Sequence, residues 1–449
     1  MIGELFHIEP DVDVISNFGD HLLGRHMPGI FETAKTEKKT AESQLDPSPV
    51  NSNATRKTEK ADVLVAGSVA VDLSCDYAPL DEKGITPVPQ TSNPAVIKQS
   101  LGGVGHNVAV AASREGSSVL FCSVVGDDLS GRAALSALDR ENLTTEGIRV
   151  LPSSSGARTA QYVAMNDTNK DLVVAMADME IMELPSKDFD FEAQWELLLA
   201  RTKPRWVVLD ANWSVDVLSQ WITTAKKHGA RVAFEPVSTA KSRRLFAAIR
   251  KSEPIVPSNP ISLATPNQLE LAEMHTAARE GGIFELDSWW GVIDAMGIPS
   301  SSSTRERLIS LTSAALVDQG VPQQTIQLLP LIPCIITTLG ASGVLVTQLL
   351  RPHDPRLTSA DTAPYILSHG SLSPDCIVGG VYMRHFPPSA VLQQDEIASV
   401  NGAGDAFLGS LVAGLAKHSF VEDMVSTAQN SSAKILRGDF IPPSSAIQP

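Results

Sequence analysis

Ser399-Val-Asn-Gly-Ala-Gly-Asp-Ala-Phe-Leu-Gly-Ser-Leu-Val-Ala-Gly414 is a turn of small residues that runs into an aspartate and then into an apolar, small-residue helix. Gly402 and Gly404 have no Cβ, so backbone can lie close to a ligand there. The first N–H groups of the following helix point outward with the positive end of the helix dipole behind them. Such a cradle suits a phosphate whose charge grows during transfer, and Asp405 stands at its edge, placed to accept a proton from an attacking hydroxyl. An aspartate after glycine at a helix start is also a common N-cap. The segment alone leaves both readings open.

A second glycine cluster lies about three hundred residues upstream, at Gly102-Gly-Val-Gly-His-Asn107, and leads into a small-residue helix to Arg114. Between and around the two clusters, short apolar runs alternate with helical stretches. Val63–Gly67, Val119–Val125, Arg205–Asp210, Arg231–Glu235, Cys334–Thr338 and Gly343–Thr347 look like strands, while 130–141 and Val215–His228 look like helices. Alternation of this kind predicts an α/β fold with a mostly parallel sheet covered on both faces. Ligands of such sheets bind beyond the carboxyl ends of the strands. Asp72, Gly126, Asp210, Glu235 and Thr338 are each expected to follow or end a strand.

With 449 residues, 43% hydrophobic, the chain can bury a large core. The net charge of −15 argues against nonspecific nucleic-acid binding. Four scattered cysteines without a C-x-x-C pair argue for a reducing compartment, and a cytoplasmic setting is expected. No apolar run reaches membrane-spanning length, and no secretory signal is visible. Residues 1–60, rich in Lys, Glu, Thr, Ser, Asn and Pro from Thr33 onward, are expected to form a flexible tail before a domain over 61–449. Residues 283–330 and 351–376 read as insertions, the second as a surface loop.

Together the two glycine clusters resemble the PfkB, or ribokinase-like, family of carbohydrate and nucleoside kinases, over about residues 62–440. Within it, the chain is most similar to pseudouridine kinases, including the kinase half of bifunctional pseudouridine-degrading proteins. The segments that carry this are Arg158–Asp167, Asp171–Asp178, Phe234–Ser238, Thr265–Glu270 and Gly379–Arg384. The glycosidase half of those proteins is not recognisable in this sequence. The resemblance implies a three-layer αβα sandwich with a small β lid, and the use of ATP and Mg²⁺. Oligomeric state varies in that family, homodimers being one form.

The resemblance also assigns roles. Asp405 becomes the catalytic base, with Gly402, Ala403 and Gly404 as the anion hole. Asp72 matches the carboxylate that binds sugar hydroxyls, which suits a group able to accept from two vicinal hydroxyls; a turn cap is its plain alternative. Gly102, Gly103 and Asn107 become the sugar-side turn. Gln161 and Tyr162 fall in the lid, where either would contact the base. Asn267 and Glu270 form the N-x-x-E arrangement that organises phosphate and magnesium, although that spacing is common on helices. Thr338, Gly340 and Gly343 would lie along the nucleotide or simply turn a hairpin. Ser431, Ser432 and Ala433 would line a flat adenine slot or serve packing.

Two departures stand out. Ser399-Val400 replaces the usual D-T pair, which puts activation by a monovalent cation in question. His106 stands where Arg is frequent. The expected activity is phosphorylation of a nucleoside 5′-hydroxyl, pseudouridine first. Ribose, adenosine or another sugar is the nearest alternative acceptor, and a non-catalytic nucleotide-binding protein the alternative of a different class.

Overall fold

The computed structural model describes residues 58–79, 84–249, 255–299, 302–370, 377–393 and 396–439. The tail expected over 1–60 lies, up to residue 57, outside the described residues. Fourteen strands are formed among the described residues: β1 Val63–Ala66, β2 Ala70–Tyr77, β3 Ala95–Gly102, β4 Val119–Gly126, β5 Ile148–Leu151, β6 Gln161–Asn166, β7 Leu172–Asp178, β8 Trp206–Asp210, β9 Arg231–Glu235, β10 Leu263–Ala264, β11 Cys334–Thr338, β12 Val344–Leu350, β13 Ile366–His369 and β14 Gly380–Phe386. Ten make one sheet, in the order β13-β14-β12-β11-β10-β9-β8-β1-β4-β5. From β11 to β5 neighbours run parallel, while β12, β14 and β13 extend the sheet antiparallel. The other four form a separate sheet, β3-β2-β6-β7.

Both faces of the large sheet are buried. Along β1, Leu64 and Ala66 join one apolar cluster and Val63 and Val65 the other, as the period of two demands. The first cluster holds the fully buried Trp195, Trp213 and Trp221 and is covered by helices such as Val215–Lys227 and Gln268–Glu280. The second is covered by α1 Val104–Arg114, α2 Leu129–Arg140, α3 Ala403–Ala416 and α4 Val421–Leu436. This is the three-layer αβα sandwich with a lid. Among the described residues no helix is long and apolar enough to cross a membrane, and Cys75, Cys122 and Cys334 are free thiols.

Two expectations change, for Asp72 and for residues 351–376. Asp72 does not follow a strand: it lies inside β2, whose outer half leaves the core to build the lid. Residues 283–330, read as an insertion, pack onto the core. Trp289 is buried in the first cluster, its indole N–H donates to the Gln327 carbonyl at 2.9 Å, and the helix Val321–Leu328 packs on Gln268–Glu280. The stretch 351–376 is more than a surface loop. It contributes edge strand β13 and buries Arg356, whose guanidinium pairs with Asp354 and Glu422; residues 371–376 are outside the described part.

Candidate active site

The Asn401–Gly404 turn meets α3 without a side-chain cap, and Gly402 takes the left-handed conformation at φ 80°. That conformation favours glycine. The opening amides of α3 have no acceptor four residues back, which is the electronic requirement for an anion cradle. Asp405, one of the two residues of the motif that carry a side-chain functional group, sits in the first turn and is buried.

Why the two glycine clusters meet can be read from the helices behind them. Every residue of α3 from Asp405 to Ala416 is buried, as expected for a helix that is apolar all round. Its neighbour α1 is mostly Val, Ala, Gly and Ser, with His106, Asn107 and Arg114 among them. At Gly409 the helices approach so closely that a Cβ would stand 2.5 Å from the Val108 carbonyl oxygen and 2.7 Å from the Ala111 Cβ. This packing carries Asn107, near the start of α1, up to Asp405. The Asn107 Nδ2 donates to Asp405 Oδ2 at 2.8 Å, across 298 residues of sequence.

Burial pushes the Asp405 carboxyl up to about 7; the Asn107 hydrogen bond opposes this, and the charges of Asp210 and Glu270 add to it. Glu235 and Glu270 are also buried and raised, mainly by desolvation, and Glu235 is raised further by Asp405 and Glu270. Glu235 accepts from the Thr265 hydroxyl at 2.7 Å. Asn267 and Glu270 form a reciprocal capping box on Gln268–Glu280, each side-chain oxygen 2.9 Å from the other's backbone N–H. The N-x-x-E arrangement is thus a cap in local terms, and it holds the Glu270 carboxylate near enough to Glu235 and Asp405 for its charge to raise both.

None of Asp405, Glu235 and Glu270 pairs with Lys or Arg among the described residues. No three His, Cys, Asp or Glu side chains there converge tightly enough to hold a metal ion alone. A surplus of negative charge without a full ligand shell fits Mg²⁺ arriving with phosphate oxygens and its own waters.

Asp72 lies on the lid strand β2, beside the first glycine cluster. Its carboxylate lies against Gly102, where a Cβ would be 2.0 Å from Oδ2. Burial raises its pKa to about 6, opposed by the charge of His106. His106 itself is paired with Glu141 at 2.6 Å. In the β2–β6 register Asp72 stands beside Tyr162, and Gln161 stands beside Val71. Neighbours in register share a face, so Tyr162 lies on the Asp72 side and Gln161 on the other.

A cavity of about 400 Å³ adjoins the α3 N-terminus. Thr338, Gly340 and Gly343 line it at the β11–β12 turn, Ala403 and Gly404 at the cradle, and Ser432 and Ala433 on α4. Ser431 is buried in packing instead. Sequence reasoning missed the wall formed by Pro388–Leu392, Ile397 and Val400. It also missed the Ser68–Asp210 clamp. The Ser68 amide donates to Asp210 Oδ2 at 2.7 Å, while the Ser68 hydroxyl accepts from the Val104 amide at 3.1 Å. That clamp fixes the start of α1, and so the position of Asn107.

A profile described as the pfkB family carbohydrate kinase matches residues 60–282. Among curated proteins, the pseudouridine-metabolizing bifunctional protein of Schizosaccharomyces pombe is 29% identical over 419 residues, covering 91% of this chain and 51% of that protein. The Escherichia coli pseudouridine kinase is 27% identical over 229 residues, 50% of this chain and 64% of that protein. An Arabidopsis thaliana pseudouridine kinase is 24% identical over 371 residues, 80% of this chain and 88% of that one. The matches thus span about half to two thirds of the first two relatives' own lengths. Among solved structures, a carbohydrate kinase from Agrobacterium tumefaciens aligns with a TM-score of 0.52 at 18% identity, covering 86% of this chain and 95% of that one. The Arabidopsis thaliana ribokinase, solved with ribose and ATP, aligns with 0.54 at 14% identity, covering 87% and 96%. These two likenesses show the ribokinase-like fold.

Proposed function

We propose that this chain, which belongs to the pfkB family of carbohydrate kinases, transfers the γ-phosphoryl group of ATP to the 5′-hydroxyl of a nucleoside, pseudouridine foremost. The observation that carries the reading is the 2.8 Å Asn107–Asp405 hydrogen bond at the uncapped N-terminus of α3. It joins the two glycine clusters; the Asp72 carboxylate lies against Gly102 of the first, and a mostly apolar cavity adjoins the second. The preference for pseudouridine is supported by the printed names of three relatives.

In this mechanism Asp72 accepts hydrogen bonds from ribose hydroxyls, and Tyr162 closes the lid side. The apolar cavity takes the adenine, with Thr338, Gly340 and Gly343 along the nucleotide. Asp405 accepts the proton of the attacking hydroxyl. The Gly402, Ala403 and Gly404 amides bind the phosphoryl oxygens as their charge grows. When bound, Mg²⁺ would supply charge neutralisation on the phosphates; Glu270, with Glu235 close to it, would hold its waters, and Asn267 would position Glu270. A carboxyl raised to about 7 is well matched to taking a proton near neutral pH.

An assay of ADP formation with ATP and Mg²⁺ tests this, run with pseudouridine, uridine, adenosine and ribose. The expected result is kcat/KM highest for pseudouridine, by about tenfold or more, the scale of one well-placed polar contact. ADP release no faster than without acceptor, for all four, would overturn the kinase reading. A clear preference for another acceptor would overturn the pseudouridine assignment alone.

A further inference from the structure

A second cavity, of about 350 Å³, lies away from the cradle, at the root of the lid hairpin β6–β7. Its wall is made by Arg149 and Leu151 of edge strand β5, by Ser155 and Arg158 of the connection into β6, and by Ile181 and Leu184 just after β7. Both chain segments that tie the hairpin to the core therefore border one space. The size is that of a small-molecule pocket.

The charges in it are unequal in their satisfaction. Arg158 is spoken for, with Asp178 and Glu180 each 2.7 Å from its guanidinium. Arg149 is not: its Nε is buried with no hydrogen-bond partner, and no carboxylate of the described residues pairs with it. Arg149 is half-buried as a whole, and a buried N–H of its guanidinium left without an acceptor is costly. Glu180 is neutralised by Arg158, and Asp188 lies at the exposed rim. Leu151, Ile181 and Leu184 add apolar lining.

We propose that this cavity is a second ligand site, separate from the phosphoryl-transfer cleft, for a small organic anion. Its phosphomonoester or carboxylate end meets the Arg149 guanidinium, and its body lies on Leu151, Ile181 and Leu184. An occupant touches both roots of the lid hairpin at once, so it restrains the hairpin's motion against the core.

Isothermal titration of the full chain with glycerol 3-phosphate, succinate and inorganic phosphate distinguishes the two anion types and the need for an organic body. At least one organic anion is expected to bind saturably and more tightly than inorganic phosphate, with affinity reduced about tenfold or more in Arg149→Gln, as for loss of a charge-assisted hydrogen bond. Hydrogen exchange on the unaltered chain gives a readout independent of that variant's folding: the bound anion should slow exchange at residues 152–160 and 179–184. The proposal is overturned if neither organic anion binds saturably, if Arg149→Gln binds equally well, or if protection falls on residues 402–406 instead. Binding is read without turnover, so this outcome and that of the kinase assay are independent.

Discussion

Replacing Asp405 with asparagine is expected to cut kcat by about 10²–10⁴, the usual contribution of a positioned general base, while raising the stability of the fold. The two effects have one cause. Asp405 is buried, and its carboxyl is raised from 3.8 to about 7, so the folded protein resists its ionisation. A group whose folded pKa exceeds its unfolded value contributes stability that is complete below the unfolded pKa and lost as pH rises through the folded one. At pH 8 the native chain carries the whole penalty, up to roughly 4 kcal/mol at 1.36 kcal/mol per unit. Asparagine carries no charge and keeps an oxygen for the Asn107 amide. Thermal melts at pH 8 should therefore show a higher Tm for Asp405→Asn than for the parent, and the gap should close as pH falls toward 4. A lower Tm together with unchanged turnover would contradict the assignment twice over. A cap-only aspartate predicts the reverse sign for stability, since losing a charged cap at a helix N-terminus destabilises.

Gly409→Leu is expected to do comparable damage from a distance. The site depends on α1 and α3 lying close enough for Asn107 to reach Asp405. At Gly409 even a bare Cβ would meet the Val108 carbonyl at 2.5 Å and the Ala111 Cβ at 2.7 Å. The first of these is backbone and cannot rotate away, so the helices must part. Overpacking of this kind costs about 1–3 kcal/mol or more. A displacement near 1 Å at the reacting groups costs on the order of 10² in rate. Turnover and Tm should fall together, and Gly409→Ala should show the same signs at smaller size. Unchanged kcat in Gly409→Leu would mean that the approach of these helices does not position the site.

Much of this site was legible in the sequence because its parts are local. A turn needing glycine, an aspartate one residue on, and a helix apolar all round leave a compact signature at 399–414. The β1, β4, β8, β9 and β11 runs announce buried parallel strands by their continuous apolar character. What stayed hidden depends on distant partners. The Asn107–Asp405 bond joins residues 298 apart, and no spacing encodes it. Asp72 looked like a strand-end residue because β2 changes character midway: Ala70 and Val71 are buried, while Leu73 to Tyr77 are partly exposed on the lid. Gln161 and Tyr162 could not be told apart without the register of β6 against β2. The cavity wall at Pro388–Leu392 has no periodicity to read, since its shape comes from the loop's path between β14 and α3. Asn267 and Glu270 show the opposite case, where the sequence spacing alone marks the capping box that starts their helix.

The pH dependence of kcat/KM tests the central claim most directly, because that ratio reports the ionisation of groups in the free enzyme. With Asp405 as the base at the meeting of the two glycine clusters, log kcat/KM should rise with unit slope to a plateau above an apparent pKa near 7. The slope should steepen below about 6, where Asp72 also takes up a proton. In Asp405→Asn the inflection near 7 should vanish. A profile that is flat from pH 5.5 to 8 in the parent, or an inflection that survives in Asp405→Asn, would contradict the account, both on the order-of-magnitude scale of one proton per tenfold change.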